Sequence, residues 1–148
     1  MCMRNTERQM SIRNNKHLLL FDIDGTLLKM GGAGKRAFEN ALEEVFSWEN
    51  ALGEVSFAGA TDLKILRQVA DEMGTQIEPS KISLFFEAMS KHLKNEVKAL
   101  VEKPQGYKPQ LLPGVKELLG RLQQMDHVHL GLATGNIQSC AWIKLGVF

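Results

Sequence analysis

One short stretch constrains this chain more than any other. Leu18, Leu19, Leu20 and Phe21 form an apolar run, Asp22 ends it, and Asp24-Gly25-Thr26 follow one residue later. A continuous apolar run of this length, bounded by turn residues, fits a strand covered on both faces, and such strands belong to parallel sheets. His17 to Ile23 is therefore expected to form a buried parallel strand that delivers two carboxylates to a loop. Side chains two apart in an extended chain point to the same side, so Asp22 and Asp24 leave the strand end together. Two carboxylates held there repel each other and invite a divalent cation or a shared proton. Gly25 then permits a sharp turn. The plainer account of the same residues is an Asp-Gly turn whose carboxylates accept backbone N–H bonds.

A second loop answers the first. Val128, Leu130 and Leu132 alternate with His127, His129 and Gly131, which is a strand pattern, and Thr134-Gly135-Asn136 makes a turn. A short amphipathic helix from Ile137 to Leu145 follows. Upstream, Pro113-Gly114 opens a helix whose inner face is expected to carry Val115, Leu118, Leu119, Leu122 and Met125. One crossover helix between two strands predicts adjacent parallel strands with a right-handed connection. Ligands of such α/β layers sit beyond the carboxyl ends of the strands, where both loops fall.

The segment between these halves has helical periodicity throughout. After Gly31, Gly32 and Gly34, an apolar stripe runs through Ala37, Phe38, Ala41, Leu42, Val45 and Phe46. Thr61 or Asp62 can cap a second helix that Gly74 stops. Glu78-Pro79-Ser80 opens a third, striped by Ile82, Phe85, Phe86, Met89, Leu93, Val97 and Leu100. Lys103 to Gln110, with Pro104, Gly106 and Pro109, has linker chemistry. The expected organisation is a tail over residues 1–16, an α/β core over 17–32 and 108–148, and a helical insert over 33–107.

Composition narrows the partners. Eighteen Lys and Arg against seventeen Asp and Glu leave a net charge of +1, and 44% of residues are hydrophobic. Those are ordinary globular values, which argue against a wholly disordered chain. A near-neutral balance gives no reason to expect nucleic acid or an anionic membrane as partner. No apolar run approaches the roughly 20 residues of a membrane-spanning helix. Cys2 and Cys140 lie at opposite ends and suggest no disulfide framework, so a reducing cytoplasm is expected. The first 16 residues carry Arg4, Arg8, Arg13 and Lys16 without the apolar segment of a secretory signal, and read as a basic, disordered tail.

Phe21-Asp22-Ile23-Asp24-Gly25-Thr26-Leu27 resembles the first motif of the haloacid dehalogenase-like hydrolase superfamily. Leu130-Gly131-Leu132-Ala133-Thr134-Gly135-Asn136 resembles its second, and the helical insert is similar to the cap of the phosphoglycolate phosphatase-like branch. The resemblance covers residues 17–148. It implies a Rossmann-like α/β core with an inserted all-helical cap. It also implies a phosphatase acting on small phosphorylated metabolites through an aspartyl-phosphate. Asp22 would be the nucleophile, and Asp24 would protonate the leaving alkoxide and then activate water. Mg2+ would bind the Asp22 carboxylate and the Asp24 backbone carbonyl. Thr134 would bond a phosphate oxygen, with the N–H groups of Gly135 and Asn136 beside it at a helix start. Gly25 and Thr26 would support the loop. Asp24 favours phosphate chemistry within the superfamily, because an alkoxide leaving group needs a proton.

The resemblance is incomplete. The family pattern continues with a Lys or Arg as third motif and an acidic pair as fourth, whereas this chain reaches Phe148 and its last acid is Asp126. Lys144 follows Thr134 too closely to be that third motif. A fragment with an incomplete parallel sheet and weak activity is expected, the alternatives being a catalytically dead phosphate-binding module and a phosphomutase. Other residues carry weaker signals. His127 and His129 share a strand face, which a partly exposed strand explains better than a metal pair, since no third ligand lies nearby in sequence. His92 is expected in solvent on its helix, and Cys140 as a buried thiol. Lys35 and Arg36 stand at the insert's entrance, either facing an anionic substrate or forming a polar helix side. Trp142 and the insert's Phe residues are expected in the core.

Overall fold

The two strands that carry the loops pair as their sequences require. In the computed structural model, which describes residues 16–53, 55–103 and 106–148, β1 (His17–Phe21) lies parallel to β4 (Val128–Leu132). His17 stands opposite Val128 and Phe21 opposite Leu132. Most of the basic tail, Cys2 and Pro104 lie outside the described residues. The pairing carries both strands' carboxyl ends to one edge, with Ala133 N–H donating to the Phe21 carbonyl at 2.9 Å to close the register.

β1 differs from expectation in its surroundings. Leu18 is 63% and Leu20 57% exposed. An apolar run needs a layer on each face to be buried, and β4 is the only strand that pairs with β1 among the described residues. The strand also stops at Phe21, two residues short of the expected end. Asp22 has already left it, and Ile23, fully buried, becomes the pivot of the turn. The Ile23 carbonyl accepts from the N–H groups of Leu27 at 2.9 Å and Leu28 at 3.1 Å, while Gly25 adopts φ +76°. That left-handed conformation is one that glycine adopts at little cost.

The turn leads into β2 (Leu28–Lys29), which pairs antiparallel with β3 (Gln110–Leu111). This two-residue ribbon ties the two ends of the helical insert together. It occupies the end of the stretch expected to be linker.

Three consecutive helices follow β2: α1 (Ala33–Phe46), α2 (Asp62–Glu72) and α3 (Pro79–Glu102). Each buries the stripe its periodicity marks. Ala37, Phe38, Ala41 and Leu42 of α1 face Phe85, Met89 and Leu93 of α3, with the Phe38 and Phe85 rings edge to face at 4.8 Å. Of the two candidates for the α2 cap, Thr61 takes the role: its Oγ1 accepts the Lys64 N–H at 3.2 Å. Asp62 is thereby left for another partner. Two further helices belong to the α/β part, α4 (Val115–Leu122) and α5 (Gln138–Leu145).

The main core is helical. It joins the inner faces of α1, α2 and α3 to Ile23, Leu28, Cys140 and Ala141. The expected inner face of α4 is mostly open: Val115 is buried, but Leu118 and Met125 are exposed. Trp142 of α5 is 62% exposed rather than in the core. Both helices have one apolar side with no described layer against it. The molecule is thus an α/β fold with an incomplete parallel sheet and an inserted all-helical cap. No helix among the described residues is long and apolar enough to cross a membrane.

Candidate active site

The site is assembled at the carboxyl edge of β1 and β4. Asp22, Asp24, Ala133, Thr134, Gly135 and Asn136 line one cleft of about 710 Å³. The first strand delivers Asp22 and Asp24, the second delivers Thr134, and parallel register brings the two loops side by side. The other wall comes from the loop before α2, Phe57 through Asp62, and from the start of α1. The helical insert therefore covers the strand ends. Gly25 and Thr26 form the turn behind the cleft rather than its lining.

The side chains are interlocked around Asp24. Asn136 Nδ2 donates to Asp24 Oδ2 at 2.8 Å and to Thr134 Oγ1 at 2.7 Å. Lys144 Nζ donates to the same Asp24 oxygen at 2.6 Å and to Asn136 Oδ1 at 2.6 Å. Both bonds to Asp24 fall on Oδ2, and Oδ1 accepts neither. Asn136 thus connects the first loop, the second loop and α5 through a single amide. Its backbone N–H turns to Thr134 Oγ1 at 3.3 Å. That differs from the expected arrangement, in which this N–H faces the anion.

The expected helix-start position is also different. The N-cap of α5 is Ile137, so Gly135 and Asn136 precede the helix rather than begin it. The Ile137 N–H is taken at 2.8 Å by Asp62 Oδ2 from the insert, and the Asp62 N–H donates to the Gly135 carbonyl at 2.9 Å. Asp62 is 7% exposed. Burial raises its carboxyl above the usual aspartate range, opposed by the Ile137 hydrogen bond and by nearby Lys144, while Asp24 adds to the rise. Gly135 is needed for packing: a Cβ there would run into the Ala60 carbonyl oxygen. The insert and the second loop therefore touch backbone to backbone.

Two of these residues carried no functional signal in the sequence. Asp62 looked like a helix cap, and only Thr61's taking that role frees it. Lys144 was set aside by counting positions, yet its side chain runs back along α5 into the cleft, as long helical side chains do. Of the two basic residues at the entrance, Lys35 lines the cleft. Arg36 does not: it pairs with Glu96 at 2.6 Å and donates to the Gly31 carbonyl at 2.8 Å, fastening α1 to α3. His92, expected in solvent, bonds Glu44 at 2.7 Å. Cys140 is fully buried, and burial pushes its thiol up.

Among the described residues no group of three or more His, Cys, Asp or Glu side chains converges on a metal position. The candidates are one carboxylate, from Asp22, and one backbone carbonyl, from Asp24. Both are oxygen donors. Magnesium keeps several waters and shares its shell with phosphate, so this set suits it in kind.

Several solved structures share the fold, three of which illustrate it. A hydrolase from Pseudomonas syringae superposes with a TM-score of 0.61 at 20% identity, over 89% of this chain and 55% of its own. A predicted phosphoglycolate phosphatase from Haemophilus somnus gives 0.57 at 18%, over 93% and 59%. CbbY from Rhodobacter sphaeroides, solved in complex with phosphate, gives 0.63 at 16%, over 87% and 55%. The chain thus spans 55–59% of the length of these relatives. The search of curated proteins found no match. Residues 19–148 match the family model described as haloacid dehalogenase-like hydrolase, and with both carboxylates and the threonine loop on one cleft, the chain belongs to that family.

Proposed function

We propose that this chain carries the phosphoryl-transfer half of a phosphatase acting on small phosphorylated metabolites through an aspartyl-phosphate. The observation that supports this most is the convergence of Asp22, Asp24 and Thr134 on one cleft beside a buried ammonium. The division into a core over 17–32 and 108–148 and a cap over 33–107 belongs to the same reading.

In this reading a carboxylate oxygen of Asp22 attacks phosphorus, and the bond from phosphorus to the ester oxygen breaks. Asp24 gives its proton to the departing alkoxide, and Oδ1, which takes neither the Lys144 nor the Asn136 bond, is the oxygen left for it. Water then attacks the phosphoaspartate, Asp24 takes the water's proton, and inorganic phosphate leaves with Asp22 restored. Thr134 orients one phosphate oxygen. Asp22 and the Asp24 carbonyl would hold magnesium, whose charge offsets that of the phosphoryl group. Asn136 holds Asp24 and Thr134 at fixed separation, which is a positioning role.

The test is hydrolysis of p-nitrophenyl phosphate and a panel of sugar phosphates by the folded chain with magnesium. Turnover lost in Asp22→Asn supports the reading. A folded chain that binds phosphate but turns nothing over supports the binding-module alternative, which the absence of a three-acid metal cluster among the described residues favours.

A further inference from the structure

Asp62 belongs to the insert, yet its two hydrogen bonds to the second loop fall on the peptide groups that flank Asn136. Its Oδ2 accepts the Ile137 N–H at 2.8 Å, and its own N–H donates to the Gly135 carbonyl at 2.9 Å. The Gly135 carbonyl lies in the peptide group before Asn136, and the Ile137 N–H in the one after it. Peptide groups are planar, so holding the two that meet at one Cα fixes that residue's φ and ψ and the direction its side chain leaves the backbone. Asn136 is where such control has an effect. Its side-chain amide spans Asp24 Oδ2 at 2.8 Å and Thr134 Oγ1 at 2.7 Å, and a turn of its backbone would swing that amide off both.

The helix that supplies Asp62 has no need of these bonds, because Thr61 Oγ1 already caps α2. The gain falls to α5, whose N-cap residue, Ile137, has no side-chain acceptor of its own. The contact is close. A Cβ on Gly135 would run into the Ala60 carbonyl oxygen and lie 3.2 Å from Thr61 Cα, so the two backbones already touch. Asp62 is 7% exposed, which shields its bond to Ile137 from competing water. We infer that Asp62 is a positioning residue of this site: from the insert it fixes the backbone on both sides of Asn136, and through Asn136 the separation of Asp24 and Thr134. The inference rests on the phosphatase reading above. It makes the phosphate-binding geometry of the second loop depend on one side chain of the insert, which acts through Asn136 rather than on the phosphate.

Inorganic phosphate is the probe, titrated by calorimetry into the whole chain below the melting temperature of each variant. Asp62→Ala leaves the Ile137 N–H without its acceptor, and its phosphate affinity should fall about tenfold. Asp62→Asn keeps an oxygen for that N–H and should stay within about threefold of the parent. A residue that served stability alone would lower the melting temperature of Asp62→Ala and leave the affinity of the folded chain as it was, and that result overturns the inference. So does an Asp62→Asn variant that binds as weakly as Asp62→Ala, since the bond would then not be what matters. If Asp62→Ala does not fold, the unaltered chain decides. Coupling is reciprocal, so saturating phosphate should slow hydrogen exchange of the Asp62 and Ile137 amides about tenfold. Exchange unchanged at both overturns the inference. A parent chain that binds no phosphate defeats the phosphatase reading, and the inference falls with it; a parent and an Asp62→Ala variant that bind phosphate equally defeat the inference alone.

Discussion

Asp62 shows how a single residue's surroundings become a measurable pH effect. Its carboxyl is raised in the folded chain by burial, so the folded state holds that proton more tightly than the unfolded state does. The stability this gives is fully present below the ordinary aspartate pKa of about 3.9 and is lost as pH rises through the higher folded value. Asp62→Asn keeps an oxygen for the Ile137 N–H and removes the buried charge. Thermal melts across the weakly acidic range should show the parent losing stability with rising pH relative to Asp62→Asn; parallel curves would contradict this. Gly135 makes a steric prediction. Gly135→Ala forces a methyl into the Ala60 carbonyl, and backbone there has no free end to move aside. It should destabilise the chain by about 1–3 kcal/mol, read by urea denaturation. Of these residues the sequence marked Gly135 as part of a turn, but its reason for being glycine is a contact with a loop some seventy-five positions away in the chain, about the 75-residue separation of Asp62 and Ile137. Such contacts leave no local pattern to read.

At the scale of elements, legibility followed length and periodicity. The helical stripes of α1 and α3 are long, and the residues they mark, Phe38 and Phe85 among them, are the ones found buried against each other. Phe85→Ala should therefore cost about 3–5 kcal/mol and lower the melting temperature accordingly. A milder change would show that the α1–α3 seam collapses around the vacancy. Thr61→Ala should cost about 1 kcal/mol through the lost cap on α2. The β2–β3 ribbon was not legible, because two residues cannot display a period of two and Pro109 beside it signals a loop. Helix α4 was found, but its apolar side was assigned to a core that the described residues do not supply. Periodicity identifies the face that wants cover without saying whether cover is present. Lys144 was missed for a related reason: position counting treats a residue as its Cα, whereas a lysine on a helix reaches back past the turn before it.

The whole molecule is a well-packed helical cap on a thin α/β base. Leu18, Leu20 and Leu132 of the sheet, with Trp142 and Phe148, present apolar surface to solvent. Patches of this kind bind apolar molecules or other proteins. The chain should bind an apolar fluorescent dye in its folded state, and Leu18→Lys with Leu20→Lys should reduce that binding without lowering the melting temperature. Dye binding unchanged by both substitutions would place the exposed surface elsewhere. The cleft lies between the cap on one side and two strand ends on the other, and the bonds from Asn136 and Lys144 to Asp24 and from Ile137 to Asp62 join segments distant in sequence. The central claim is that Asp22 is the group that takes the phosphoryl. It is tested most directly by incubating the folded chain with acetyl phosphate and magnesium and measuring its intact mass. Asp22 should acquire one phosphoryl group as acetate leaves, the adduct should map to the peptide containing Asp22, and Asp22→Asn should show none. A folded, phosphate-binding chain that acquires no phosphoryl group, or an adduct that persists in Asp22→Asn, would contradict the account.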